Sequence, residues 1–184
     1  MKKIIVAITG GSCVIYAVAL LKTLQQMNIE THVVVSKMGE SNLNYECDMN
    51  IGEIKEISSY YYDYNNLGAA IASGSFKIDS MVIIPCTMNT LGAIANGLSS
   101  NLIHRAADVT IKEGRKLVIV PRETPFSPVH LENMLKLSKI GVTIMPAAPG
   151  FYHIPETISD IVDIMVGRTL DQLGIDSELF KRWE

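Results

Sequence analysis

The chain has 184 residues, of which 48% are hydrophobic and 19% are charged. This composition can bury one sizeable core and excludes an intrinsically disordered chain. The net charge is −3 and the basic residues form no run, so nothing indicates a nucleic-acid partner. We expect one domain over residues 1–184, with a C-terminal helix and tail from about residue 157.

The N-terminus and the cysteines bear on the cellular compartment. Lys2 and Lys3 precede an apolar run, as in a secretory signal peptide. The polar, glycine-rich residues 9–12 interrupt that run, so a continuous membrane span of about 20 residues is missing. The three cysteines fit neither a disulfide framework nor a zinc site. These features predict a cytoplasmic protein without a membrane partner.

Five short apolar runs predict the strands of a parallel sheet. Helix-period segments lie between them, a pattern typical of βα units with helices on both faces of the sheet. A capping box of Thr157 and Asp160 is expected at the start of the last helix. The predicted strands are residues 4–8, 31–35, 81–84, 117–120 and 142–145, and the predicted helices are residues 12–27, 87–96, 101–112, 129–140 and 158–173.

Residues 44–76 contain no pattern from which a strand can be assigned with safety. Four tyrosines crowd positions 60–64 beside polar residues. We expect a long excursion that packs on the edge of the sheet. A lid or a subunit contact is the alternative, because aromatic residues concentrate at interfaces.

Polar side chains follow every predicted strand, and in an open α/β sheet ligands bind at those carboxyl ends. After the first strand, residues 9–13 form a glycine turn that is expected to deliver Ser12 to a helix N-terminus, where free N–H groups favour a phosphate. The side chains after the other strands are Ser36 and Lys37, with Glu46 further along; residues 85–90; Arg122 and Glu123; and Phe151, Tyr152 and His153.

Arg105 and Lys112 are seven residues apart on one predicted helix, so both can face the same side. Solvated cations are the plainer explanation for this pair. Alternatively, they form a cationic pocket for a phosphate ester with Arg122 and Arg168. The four histidines show no metal-ligand spacing, and we expect no metal.

Several sequence blocks carry this chemistry, and together they resemble the flavin prenyltransferase family, the UbiX group, over essentially the whole chain. Arg-Ala-Ala-Asp at 105–108 and Arg-Glu-Thr-Pro at 122–125 are the most specific. The remaining blocks are residues 9–12, 36–37, 72–76 (Ala-Ser-Gly-Ser-Phe), 85–91 (Pro-Cys-Thr-Met-Asn-Thr-Leu) and 151–153 with Pro155.

The resemblance implies a Rossmann-like, three-layer flavoprotein fold with a parallel sheet. It implies FMN bound between the subunits of a homo-oligomer, usually a homododecamer. The implied reaction alkylates reduced FMN at N5 and C6 with dimethylallyl monophosphate. Its product, prenylated FMN, is the cofactor of UbiD-type decarboxylases, which implies a functional link to such an enzyme.

The resemblance also assigns residues to roles. The catalytic residues that it implies are Ser12, Glu46 and Glu123. The residues that it implies for FMN are Gly10, Gly11, Ser12, Ser36, Thr87, Met88, Asn89, Thr90 and Arg122. Those that it implies for the prenyl phosphate are Arg105, Lys112, Glu123, Tyr152 and Arg168.

Two positions depart from the family pattern. Cys13 stands where the family commonly has Gly, and its Cβ costs little at negative φ but can displace the flavin at positive φ. Asn89 stands where many members have Lys, which makes residues 85–90 similar to an element of the flavin-containing cysteine decarboxylases.

These cysteine decarboxylases, which share a related fold, are the alternative enzyme class. Their base is a histidine between the second and third strands, and this chain has no histidine between His32 and His104. An FMN-binding paralogue without transferase activity is the third hypothesis.

Overall fold

The computed structural model describes residues 2–152 and 154–182, so His153 of the 151–153 block lies outside the described residues. Six strands form one parallel sheet in the order β3-β2-β1-β4-β5-β6. The strands are β1 (Lys3–Ile8), β2 (Glu30–Val35), β3 (Tyr60–Tyr62), β4 (Ser80–Cys86), β5 (Lys116–Pro121) and β6 (Thr143–Ile144). The helices are α1 (Ile15–Gln26), α2 (Lys37–Cys47), α3 (Ile51–Glu56), α4 (Met88–Ala95), α5 (Leu102–Lys112), α6 (Pro128–Lys139) and α7 (Ile158–Gln172), with a 3-10 turn at Ala70–Ala72.

Helices cover both faces of the sheet, which explains why the strands are nearly continuous apolar runs. Alternate side chains of β1 enter different cores: Ile4 and Val6 pack with α1 and α7, and Ile5 and Ala7 pack with α4, α5 and α6. The predicted α/β, Rossmann-like three-layer fold is therefore confirmed. No helix in the described part of the chain is both long and apolar enough to cross a bilayer.

The prediction of five strands is wrong, because Tyr60–Tyr62 forms a sixth at the edge of the sheet beside β2. The buried His32 ring of β2 stacks on Tyr60, with 4.9 Å between ring centroids. His32 Nδ1 also lies 2.9 Å from the hydroxyl of Tyr62. This strand has only three residues and is stabilised by contacts with β2. It is too short to show the alternation of apolar and polar residues by which a strand is predicted from sequence.

The first helix begins three residues later than predicted, at Ile15 instead of Ser12. Cys13 has a φ of 76°, a left-handed conformation that a right-handed helix cannot contain. At the last helix the predicted capping box is confirmed: Thr157 accepts from the backbone N–H of Asp160, whose carboxylate accepts from Thr157 N–H.

The strand order reverses between β1 and β4, which are neighbours in the sheet but far apart in sequence. Chains that leave these two strands turn to opposite sides, so a crevice opens between their carboxyl ends. The loops that follow β1 and β4 are therefore the first place to look for a ligand site.

Candidate functional site

The carboxyl ends of β1, β4 and β5 are tied together around this crevice. Thr9 Oγ1 donates to the carbonyl of Pro85 at 2.8 Å and accepts from the N–H of Thr87 at 2.9 Å. A Cβ on Gly11 would lie 3.3 Å from Pro85 Cβ and 3.9 Å from Arg122 Cβ. Three strands thus place their loops within contact distance.

Residues 9–14, which we term the glycine loop, rest on one face of α2. A Cβ on Gly10 would come within 2.3 Å of Met38 Cβ, so only glycine fits there. Asn42 Nδ2 donates to the carbonyl of Gly11 at 2.9 Å. Glu46 Oε2 accepts from the N–H groups of Cys13 at 2.8 Å and of Val14 at 3.1 Å.

These contacts correct the expectation that free N–H groups at this helix N-terminus await a phosphate. The Glu46 carboxylate already occupies two of them, as an anion favoured by the positive end of α1. Ser12 precedes the helix and lies half-buried in the loop. In residues 2–152 and 154–182, its hydroxyl has no hydrogen-bond partner.

Two residues predicted to bind FMN cap helices at the crevice. Ser36 Oγ accepts from Gly39 N–H at the start of α2, and Thr87 Oγ1 accepts from Thr90 N–H at the start of α4. Met88 and Asn89 occupy the first turn of α4, where backbone N–H groups have no partner within the helix. The α4 N-terminus therefore retains donors that suit an anion.

Arg122 lies at the end of β5, beside Gly11, and its backbone N–H donates to the Cys86 carbonyl at 3.2 Å. Its buried Nε lacks an acceptor in the described part of the chain. A buried donor without a partner is costly, so this position suits a ligand acceptor. Glu123 Oε1 accepts a hydrogen bond from the N–H of Thr124 at 3.0 Å. Glu123 and Arg122 therefore do not form a surface ion pair with each other.

The titratable groups around the crevice limit the chemistry available there. Burial raises the pKa of the Cys86 thiol, so it is no thiolate nucleophile at neutral pH. Burial, with a smaller contribution from Cys13, also raises the pKa of Tyr16 on α1. The described residues include no group of three or more histidine, cysteine, aspartate or glutamate side chains that could hold a metal ion.

Arg105 and Lys112 lie on α5, away from the crevice. Arg105 Nε donates to the carbonyl of Ala72 at 3.2 Å, and its Nη1 lies 3.0 Å from Asp108 Oδ2. Lys112 Nζ lies 2.6 Å from Glu113 Oε1. Both cations are partly exposed and keep donors available to a further anion.

The Ala-Ser-Gly-Ser-Phe block at 72–76 is bonded to this end of α5. Arg115 donates to the carbonyls of Gly74 at 2.7 Å and Phe76 at 3.0 Å. A Cβ on Gly74 would meet Glu113 Oε1 at 2.2 Å and Lys112 Nζ at 2.9 Å. Both atoms are the far ends of flexible side chains, so the block passes directly beside the Lys112 ammonium group but a Cβ at position 74 would only need those ends to shift.

Tyr152 and Arg168 share a cleft of about 430 Å³ that β6, the following loop and α7 line. Arg168 Nη1 lies 3.1 Å from Asp171 Oδ2. A hydrogen bond from Arg182, with smaller contributions from Arg168, holds the pKa of Asp171 below its usual range. The exposed Arg168 side chain still offers donors to the cleft.

The four cations proposed for one pocket do not meet within one copy of the chain. Lys112 precedes β5 and Arg122 follows it, and the six residues of this strand span five steps of ~3.3 Å, or roughly 17 Å. Arg105 and Arg168 lie on helices that cover opposite faces of the sheet. Within one copy these four cations therefore do not form the cationic pocket, which stays a prediction.

Asn42 is the site residue that sequence reasoning missed. It lies four residues before Glu46, so both side chains share one face of α2. Their i, i+4 spacing was visible in the sequence, but residues 37–47 were not predicted as a helix.

Comparison with known proteins assigns most of the chain to a single family. Residues 1–170 match the family model described as Flavoprotein. The flavin prenyltransferase UbiX of Methanocaldococcus jannaschii is 50% identical over 181 residues, which cover 98% of each chain.

Two solved structures share the fold over the full chain. A crystal structure of AnUbiX in complex with FMN and dimethylallyl pyrophosphate is 41% identical, with a TM-score of 0.98, covering 100% of this chain and 97% of the other. A dodecameric FMN-dependent UbiX-like decarboxylase from Escherichia coli O157:H7 is 44% identical, with a TM-score of 0.97 and full coverage of both chains.

Proposed function

Because this chain belongs to the Flavoprotein family and is a flavin prenyltransferase, we propose that it transfers a dimethylallyl group from dimethylallyl monophosphate to N5 and C6 of reduced FMN. The observation that carries this proposal is the convergence at the β1–β4 crevice of the glycine loop, the α4 N-terminus and Arg122, whose Nε has no partner among the described residues. The whole chain, residues 1–184, acts as one flavin-binding domain.

FMN supplies the nucleophilic nitrogen and carbon of the reaction, and the residues at the crevice fit it. The free N–H groups of the α4 N-terminus and the Arg122 guanidinium suit its phosphate and carbonyl oxygens. The close-packed glycines allow the backbone to approach a flat ring. The proposed FMN residues are Gly10, Gly11, Ser12, Ser36, Thr87, Met88, Asn89, Thr90 and Arg122.

Negative charge grows on the phosphate as it leaves the allylic carbon, so fixed cations around it lower the barrier. Arginine presents a planar fork to a phosphate and lysine a point charge. The proposed phosphate residues are Arg105, Lys112, Glu123, Tyr152 and Arg168.

A second copy of the chain has to complete this phosphate site. Within one copy, Lys112 and Glu123 lie beyond opposite ends of β5, and Arg168 lies across the sheet from Arg105. The FMN-dependent relative from Escherichia coli O157:H7 is dodecameric. We therefore propose a homo-oligomer, in the form of a dodecamer, with each site shared between copies.

Glu123 and Ser12 pass protons between the departing phosphate and the flavin, and Glu46 holds the loop that carries Ser12. Replacing Glu123 with Gln keeps the shape of the side chain but removes the base. We expect kcat to fall by about 100-fold or more, with FMN still bound. Glu132→Gln, an exposed change on α6, is the control. Activity within a fewfold of the unaltered enzyme would remove Glu123 from the relay.

Anaerobic incubation with reduced FMN and dimethylallyl monophosphate tests the function directly. Mass spectrometry of the extracted flavin should show one added prenyl unit. Unmodified FMN recovered from flavin-loaded protein would contradict the proposal and favour the paralogue without transferase activity. Titration of dimethylallyl monophosphate onto the loaded protein separates these cases, since the paralogue has no use for a second phosphate site.

The proposed product, prenylated FMN, indicates which enzyme acts next. Prenylated FMN is a cofactor and not an end product, so we propose that a UbiD-type decarboxylase receives it. Supplying the extracted product to an apo-decarboxylase of that type should restore decarboxylation, whereas FMN alone should not.

A further inference from the structure

We propose that Asn42 is a positioning residue that holds Ser12 in place for prenyl transfer. The proposal rests on the function proposed above, in which Ser12 handles protons beside the flavin. Asn42 lies on α2, is half-buried, and donates through Nδ2 to the carbonyl of Gly11 at 2.9 Å. It does not itself contact the reacting atoms.

The residues on either side of Ser12 are both fixed by this helix. Asn42 bonds the carbonyl before Ser12, and Glu46 bonds the N–H after it at 2.8 Å. One turn of α2 separates Asn42 from Glu46, so a single helix face sets the path of the loop on both sides of Ser12.

The Ser12 hydroxyl depends on this support, because no other group in the described residues, 2–152 and 154–182, bonds it. The position of the hydroxyl is therefore set by the backbone conformation of the loop. That backbone includes Cys13 at a φ of 76°, a conformation that relaxes unless neighbours hold it.

The contact requires a hydrogen-bond donor at position 42. Aspartate has the same shape as asparagine, but its carboxylate only accepts at neutral pH. Asn42→Asp would set that carboxylate against the Gly11 carbonyl, one turn from the Glu46 carboxylate. The loop would then lose its anchor without any loss of side-chain volume.

The test compares Asn42→Asp with Asn44→Asp. Asn44 lies on the same helix, is exposed, and donates to the carbonyl of Glu40 at 3.1 Å. The two variants therefore share the chemical change, the added charge and a lost bond to a backbone carbonyl. Steady-state prenylation, FMN affinity from flavin fluorescence and thermal unfolding are measured for both.

We expect kcat of Asn42→Asp to fall by about tenfold or more, because small displacements of reacting groups are costly. KM for dimethylallyl monophosphate should stay within about twofold, since other residues hold the phosphate. Asn44→Asp should match the unaltered enzyme in both constants, and the two variants should melt together.

Equal kcat in the two variants would overturn the proposal. The proposal would also be overturned if Asn42→Asp lowered kcat, raised KM and lowered the melting temperature together. That combination would show that Asn42 has a merely structural role. If Asn42→Asp does not fold, Asn42→Ala carries the same expectations without the added charge. Absence of prenylation by the unaltered protein would instead refute the proposed function and leave the FMN-affinity comparison to test the anchor.

Discussion

Cys13 shows how a single backbone angle shapes the site. Cys13 has a φ of 76°, which an α-helix cannot contain. The helix α1 therefore begins after Cys13, and Ser12 lies in the loop that follows β1. The position tolerates a Cβ because Glu46 holds the Cys13 N–H. The departure from glycine therefore costs backbone energy and still permits the turn.

Replacing Cys13 with Gly should relieve that strain, whereas Cys13→Ala keeps it. We expect the glycine variant to be more stable than the alanine variant by about 1 kcal/mol, the reverse of the usual order in helices and strands. Thermal unfolding of the two variants, each with FMN affinity measured, checks this. A more stable alanine variant would contradict the assigned backbone conformation.

His104 on α5 makes stability depend on pH. Burial lowers its pKa, and Asn101 Nδ2 lies 3.1 Å from its Nδ1, a contact that suits the neutral ring. The unfolded chain binds this proton more readily than the folded one, so stability should fall as pH drops below about 6.5. His104→Gln should reduce the pH slope of the free energy of unfolding between pH 7 and pH 5.5, and the buried His32, whose pKa burial also lowers, accounts for part of the slope that remains. At pH 8 both chains are unaffected by His104 protonation, so the stability difference between the variant and the unaltered protein there measures lost packing alone. An unchanged pH slope would show that His104 does not cause the pH dependence.

At the residue scale, the sequence indicated which residue types gather at the crevice but not what each one does. Glu46 was predicted near the site, and the structure shows it bonding two backbone N–H groups. Such roles depend on φ angles and on contacts between residues more than 30 positions apart. No local pattern encodes either.

At the element scale, long periodic segments were predictable and short or irregular ones were not. The five predicted helices and five predicted strands appear with shifts of a few residues, because each buries a continuous apolar surface. Helix α2 was missed since only Gly39 and Leu43 of its residues are buried, which leaves little amphipathic pattern. Strand β3 depends on stacking against His32.

Helix α7 provides an element-scale prediction through its capping box. Thr157→Ala removes the acceptor for the Asp160 N–H, and we expect a loss of about 1 kcal/mol. Ser159→Ala, a neighbouring exposed change in the first turn, should cause no comparable loss. Thermal unfolding of both variants decides the matter: matching melting temperatures would show that the box contributes nothing to α7.

At the scale of the whole molecule, the sheet separates groups that the proposed reaction would use together. Arg122 follows β5 and Lys112 precedes it, so under the proposed function one copy would supply these two residues to different sites. A role in the site was predicted for both residues, but the sequence contains no signal for their distance, which depends on the direction of β5.

Mixed assemblies test this sharing. Chains with Arg122→Ala and chains with Lys112→Ala should each be inactive alone. Co-expressed, they should recover about a quarter of the unaltered activity, since random assembly pairs two intact half-sites that often. A mixture of Arg122→Ala with Glu123→Gln is the control, because these neighbours follow the same strand end. Recovery in neither mixture would show that each site belongs to one copy.

Under the proposed function, the separation of Lys112 from Arg122 across β5 also makes catalysis depend on the protein concentration. If the phosphate site exists only where copies meet, then dilution below the dissociation constant of the assembly removes phosphate sites as the subunits separate. Ligands that bind only the assembled form shift the equilibrium toward it by RT ln(1 + [L]/Kd). Under the proposed function, flavin and prenyl phosphate would therefore shift the quaternary equilibrium toward the assembly, and removal of either one would shift it back toward separate subunits.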